Sequence, residues 1–171
     1  MKKALAILTV GLICFLILTG CGNNADSSGK GSEKVSTITV GGKSMEPTLQ
    51  DGVSVDVYSL DGTPKTGDII AIKSTDAYKM PIVKRVIAVG GQQLRIDFEK
   101  GDVYVDGKKL DEPYSVGETL RRDLSDEEIN RVIPEGKVFV LGDNRTISLD
   151  SRFSLIGLID VKDILGVILT D

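Results

Sequence analysis

The chain has 171 residues, a formal net charge of −4, 41 % hydrophobic and 27 % charged residues; this fits one domain of ordinary size plus a short extra segment, and no basic block has the density that nucleic acid requires. It contains no histidine, which excludes Ser-His-Asp and Cys-His mechanisms, and its two cysteines, Cys14 and Cys21, lie in or beside the first apolar run, which leaves the rest without a thiol nucleophile, a disulfide or thiolate zinc ligands. The remaining chemistry is that of Ser/Thr, Lys, Asp/Glu, Tyr and Arg; no cofactor and no metal are expected, although carboxylates alone leave Mg²⁺ or Ca²⁺ open on composition.

In chain order, Lys2 and Lys3 precede a charge-free, mostly apolar run over 4–19. This is the layout of a secretory signal, and it is short of the ~20 apolar residues of a comfortable transmembrane helix. The run ends in Leu18-Thr19-Gly20-Cys21, which resembles a bacterial lipobox with Cys21 as the lipidated residue. An uncleaved single-pass anchor with an incidental cysteine is the other reading of this 1–21 signal or anchor segment. Both put the rest of the chain on the extracytoplasmic face of a bacterial cell membrane, because the lysines favour the cytoplasmic side. Residues 22–36, rich in Gly, Ser, Asn, Asp and Lys, read as a flexible polar tether. The folded domain is expected over 37–171.

The domain is predicted to be mostly β, a single antiparallel barrel-like unit with one or two short helices. Val53, Val55 and Val57 alternate with polar residues, as in a half-buried strand. The β-branched runs at 68–73 and 82–89 read as buried strands, and Leu94, Ile96 and Phe98 alternate again after Gly90-Gly91. Residues 103–105 and those after Asp106-Gly107 form a predicted hairpin. Ser125, with Glu128 three residues on, signals a capped helical turn. Residues 137–141 make another strand, and 161–170 a closing helical turn or strand. No internal repeat is present.

Three constellations carry potential chemistry. In Gly41-Gly42-Lys43-Ser44-Met45-Glu46-Pro47-Thr48-Leu49, the glycines permit unusual backbone geometry and Pro47 stiffens the chain, so Ser44 sits on a constrained turn. Lys84 lies within an apolar strand, sharing a face with Ile82, Val86 and Ala88, while Arg85 shares the other with Val83 and Ile87. A lysine among aliphatic side chains loses solvation and its pKa falls, to ~7–8 in catalytic cases, whereas Arg85 stays charged. The third, 142–152, places Asp143, Arg145, Ser148, Asp150 and Arg152 in one short loop, where Asp–Arg pairs would stiffen the backbone and Ser148 could orient a neighbouring base. Each has a bland alternative: a polar loop, a snorkelling edge lysine, a Gly-Asp-Asn turn.

Taken together, the three segments resemble the boxes of type I signal peptidases, the Ser–Lys proteases that remove signal peptides from exported proteins. Ser44 to Leu49 matches the nucleophile box, Lys84-Arg85-Val86 the base box, and Gly142 to Arg152 the GDNRxxSxDSR box without a gap; Gly67-Asp68-Ile69 resembles a shorter one between them. The resemblance implies Ser44 as nucleophile, Lys84 as general base, Ser148 holding the lysine amine, and Asp143 with Arg145 and Asp150 with Arg152 as structural support. It implies the Ser44 backbone N–H as one oxyanion donor, and preproteins with small residues at −1 and −3 as substrates, with the lipid bilayer as the other partner. Met45, beside the nucleophile, is expected to be exposed and to touch that bilayer.

Two positions depart from the family pattern. Some relatives carry a hydroxyl two residues before the nucleophile, where this chain has Gly42, and Gly91 is followed by Gln92 rather than Asp. The chain is also short for the family, so a large extra β-domain is not expected. Two other functions share parts of the pattern: a self-cleaving Ser–Lys protease resembling the SOS repressors, which the export-like N-terminus disfavours, and a non-catalytic surface lipoprotein of the same fold, which the presence of both Ser44 and Lys84 disfavours.

Overall fold

A computed structural model describes residues 33–74 and 79–170. The expected 1–21 segment, with Cys21, and most of the expected tether lie outside the described residues. Ten strands are formed: β1 (Lys34–Thr39), β2 (Ser54–Tyr58), β3 (Ile69–Ile72), β4 (Ile82–Val89), β5 (Leu94–Asp97), β6 (Asp102–Val105), β7 (Lys108–Lys109), β8 (Lys137–Leu141), β9 (Ile159–Asp160) and β10 (Ile164–Ile168). One helical turn, α1 (Asp126–Ile129), and a 3₁₀ turn over Val161–Asp163 complete the set.

Seven strands make an antiparallel sheet in the order β1-β2-β10-β3-β4-β8-β9, curled as a half-barrel with β1 and β9 as its edges. The strands β5, β6 and β7 form a separate small sheet. Burial follows position. β3 and all but the last residue of β4 are buried, because central strands covered on both faces need continuous apolar runs. β5 buries alternate residues, as a strand with one wet face does. Between β6 and β7, Asp106 and Gly107 both take positive φ, at 52° and 76°, in a two-residue hairpin turn.

β4 contributes to three apolar clusters. Val83 joins Val40, Met45, Leu49, Val57 and Ile69 on one side of the sheet. Ile82 and Val86 pack with Ile70, Ile72, Val138 and Val140. Ile87 and Ala88 both enter the core shared with the small sheet, Ile129 and Ile133. Two consecutive side chains enter one core because the register against β8 slips between Val86 and Ala88, where a bulge re-aims the strand.

The expected strands at 82–89 and 137–141 coincide with β4 and β8. The Ser125 capping box is present, with Glu128 N–H donating to Ser125 Oγ and Ser125 N–H to the Glu128 carboxylate. The closing segment holds both alternatives, a 3₁₀ turn followed by a strand. Two strands were not expected. β9 has only two residues, and β1 starts at Lys34, inside the stretch read as tether and ahead of Thr37. β1 is held by pairing with β2 although almost none of its side chains is buried.

Candidate active site

The turn after β1 carries Ser44. Gly42 takes φ 81°, in the left-handed region that favours glycine, and its N–H donates to Asp51 Oδ1 at 2.8 Å. Leu49 N–H closes the turn on the Met45 carbonyl at 2.9 Å, and the Glu46–Pro47 peptide is cis. Met45 is fully buried, packed with Val40, Leu49, Val57 and Val83. The expectation that it meets the bilayer is therefore wrong: the turn points this side chain inward, where it anchors the Ser44 turn to the core.

Lys84 arrives from β4 and is 3 % exposed. Its Nζ lies 2.8 Å from Ser44 Oγ and donates to the Val83 carbonyl at 2.9 Å. Burial lowers its pKa to about 8, with the charges of Asp150 and Asp143 pulling partly the other way. The two residues singled out as nucleophile and base thus meet although 40 positions apart. They face a cleft of about 250 Å³ lined also by Thr39, Val40, Met80, Pro81, Ile147 and Leu149.

The loop after β8 folds over this pair. Asn144 N–H donates to the Ser44 carbonyl at 3.0 Å, tying loop to turn. Gly142 has no room for a side chain: a Cβ there would collide with Ser148 Oγ and with the Ser44 carbonyl. Asp150 and Arg152 form the expected pair, Nε to Oδ1 at 2.8 Å and Nη2 to Oδ2 at 2.9 Å, both side chains fully buried. Asp150 also accepts from Gly142 N–H at 3.2 Å.

The expected Asp143–Arg145 pair does not form. Asp143 instead accepts from Arg85 Nε at 2.8 Å and Nη2 at 2.7 Å, and from the Thr48 hydroxyl. Arg85 stands opposite Leu141 across the β4–β8 ladder, and this brings its guanidinium to a carboxylate two residues farther on. Arg145 turns away to Glu112, Thr119 and the Gly142 carbonyl. Nor does Ser148 hold the lysine. Its Oγ is buried and has no hydrogen-bond partner among the described residues, whereas the Lys84 amine is held by the Val83 carbonyl and Ser44.

Several contributors carry no sequence signal of their own. Arg85 also donates to the Gly67 carbonyl at 2.8 Å, which gives the short Gly67-Asp68-Ile69 segment its place in the site. Thr48 belongs to the Ser44 turn, but its bond to a residue 95 positions away is not readable locally. Glu112, Tyr114 and Thr119 lie in a segment without regular structure and match no motif. Among the described residues no three acidic side chains converge to hold a cation.

Comparison with known proteins gives the family. The model of the family described as signal peptidase, peptidase S26, matches residues 32–170. The chain belongs to the signal peptidase family. It is similar to signal peptidase I of Bacillus licheniformis, 40 % identical over 139 residues that cover 74 % of this chain and 70 % of the relative. It is also similar to signal peptidase IB of Staphylococcus aureus, 38 % identical over 151 residues, covering 77 % and 74 %. A solved structure of a signal peptidase I from Enterococcus faecalis aligns at 30 % identity with a TM-score of 0.49, over 64 % of this chain and 98 % of that one.

Proposed function

We propose that the protein is a membrane-bound serine endopeptidase that removes signal peptides from exported preproteins, with Ser44 as nucleophile and Lys84 as general base. The observation that carries this reading is the 2.8 Å approach of a buried lysine amine, its pKa lowered to about 8, to a serine hydroxyl at the floor of a cleft.

Neutral Lys84 takes the proton from Ser44 Oγ as that oxygen attacks the scissile carbonyl. The Ser44 backbone N–H is one donor to the resulting oxyanion. As the tetrahedral intermediate collapses, the C–N bond breaks, the ammonium of Lys84 returns the proton to the departing amine, and a Ser44 ester remains. Water then attacks the ester, giving a proton to Lys84, and the released carboxylic product leaves Ser44 reprotonated. Gly42 carries no hydroxyl and its N–H is engaged by Asp51, so the second oxyanion donor is another backbone group or a water. Substrates with small residues at −1 and −3 would lie as an added strand along the cleft.

The N-terminal segment supplies the anchor, either a lipid on Cys21 or an uncleaved helix over 4–19, with the catalytic domain on the extracytoplasmic face. Among the described residues no helix is long and apolar enough to cross a membrane. The decisive experiment is cleavage of a preprotein with Ala at −1 and −3 by the detergent-solubilised chain. Ser44→Ala and Lys84→Ala are each expected to lower kcat by at least about a thousandfold. Variants as active as the wild type would remove the dyad from the mechanism.

A further inference from the structure

Residues 112–122 lie outside the three segments that first suggested the chemistry, yet they are fastened to the 142–152 loop along its length. Val116 N–H donates to the Asp143 carbonyl at 2.9 Å and Arg145 N–H to the Val116 carbonyl at 2.8 Å, flanking a parallel bridge between Val116 and Asn144. Glu118 N–H donates to Thr146 Oγ1 at 3.1 Å, and Arg152 Nη1 to the Leu120 carbonyl at 3.0 Å. Gly117, at φ 76°, packs so closely on Thr146 that a Cβ would collide with its hydroxyl.

This strap delivers one aromatic ring to the charged interior. The Arg85 guanidinium carbon lies 3.8 Å from the centroid of the Tyr114 ring. The ring is itself fixed: the Tyr114 hydroxyl donates to Glu112 Oε1 at 3.2 Å, and Glu112 is the partner of buried Arg145. A turn closed by the Ser115 N–H and hydroxyl on the Glu112 carbonyl sets the spacing between the two. One face of the guanidinium is therefore covered by Tyr114 while its edge grips Asp143, and Asp143 in turn grips Thr48, four residues after the nucleophile.

We propose that Tyr114 is a positioning residue: by capping Arg85 it holds the Arg85–Asp143–Thr48 chain in one geometry and so sets the register of the turn that presents Ser44 to Lys84. Planar stacking of a guanidinium on an aromatic face suits this task, since it excludes water and fixes the plane of the fork without consuming a hydrogen bond needed by Asp143. The role rests on the Ser44–Lys84 reading, and the test separates the two.

Full-length protein in detergent is assayed on a peptide spanning a cleavage site with Ala at −1 and −3, with rates per titrated active site and unfolding midpoints measured in parallel. Tyr114→Phe keeps the ring and is expected to retain kcat within about twofold, while Tyr114→Leu is expected to lose about tenfold in kcat with KM changed by less than about twofold. Tyr114→Met serves the same comparison where the leucine variant does not fold. The proposal is overturned if both apolar replacements match the wild type, if the phenylalanine variant falls as far as the leucine one, or if the whole loss appears in KM. Ser44→Ala is run alongside: its retention of activity would overturn the dyad and the positioning role together, whereas its inactivity with an unaffected leucine variant would remove Tyr114 alone.

Discussion

Burial, more than any neighbouring charge, sets the protonation of Lys84. The same burial gives the proposed dyad its pH signature. A base works only when neutral, so kcat/KM is expected to fall about tenfold per pH unit below the lysine pKa, which burial lowers to about 8. A profile flat from pH 5 to 9 would take the lysine out of the base role. Gly142 is the complementary case, a residue defined by what it leaves room for. Gly142→Ala must push both Ser148 and the Ser44 carbonyl, and a displacement of the proposed nucleophile on the scale of 1 Å costs on the order of a hundredfold in rate. Its kcat is therefore expected to fall by about that factor, with about 1–3 kcal/mol of stability also lost to overpacking.

Among the elements, β4 does most to place the site, since it carries Lys84 and Arg85 on opposite faces and enters all three apolar clusters. It is also among the easiest to read. An eight-residue β-branched run between Pro81 and Gly90 fits a central strand, and the lysine inside it stands out for that reason. β1 is illegible for the converse reason: its side chains are nearly all exposed, so Lys34 to Thr39 show no burial alternation and merge with the polar stretch before them. The partner of Arg85 is not legible either. Asp143 is 58 positions away, and closeness in sequence suggests Arg145, whereas the cross-strand ladder selects Arg85. Glu112 and Tyr114 lie in a loop with no periodicity at all. Two substitutions test these elements. Met45→Ala removes the anchor of the nucleophile turn and is expected to cost about 2–5 kcal/mol in denaturant unfolding. Arg85→Ala leaves Asp143 buried without its cation, at about 3–5 kcal/mol by the same measurement.

For the whole molecule, Lys84, the proposed base, links pH to stability. Its folded pKa, about 8, is below the ordinary 10.5, so between those values the unfolded chain binds more protons and stability rises with pH. Below about pH 8 the full burial penalty of the ammonium is present. Lys84→Met is expected to be more stable than the wild type near pH 7, with the gap narrowing as pH rises toward 10.5; a gap constant across that range would contradict the burial argument. The anchor is tested at the same scale, by the mass of the membrane-extracted protein: a diacylglyceryl adduct on Cys21 marks the lipid form, and an intact N-terminus the helical one.

The tie between Thr48 and Asp143 spans 95 residues, and the Asn144 bond to the Ser44 carbonyl is longer-range still. Closing loops of that length is slow, and the chain is made from its amino end. Ser44 therefore leaves the ribosome roughly a hundred residues before the loop that must brace it. Until the C-terminal third has emerged and folded back, Asp143 and Asn144 are not there to hold Thr48 and Ser44. The order of synthesis thus supplies this brace of the Ser44 turn last.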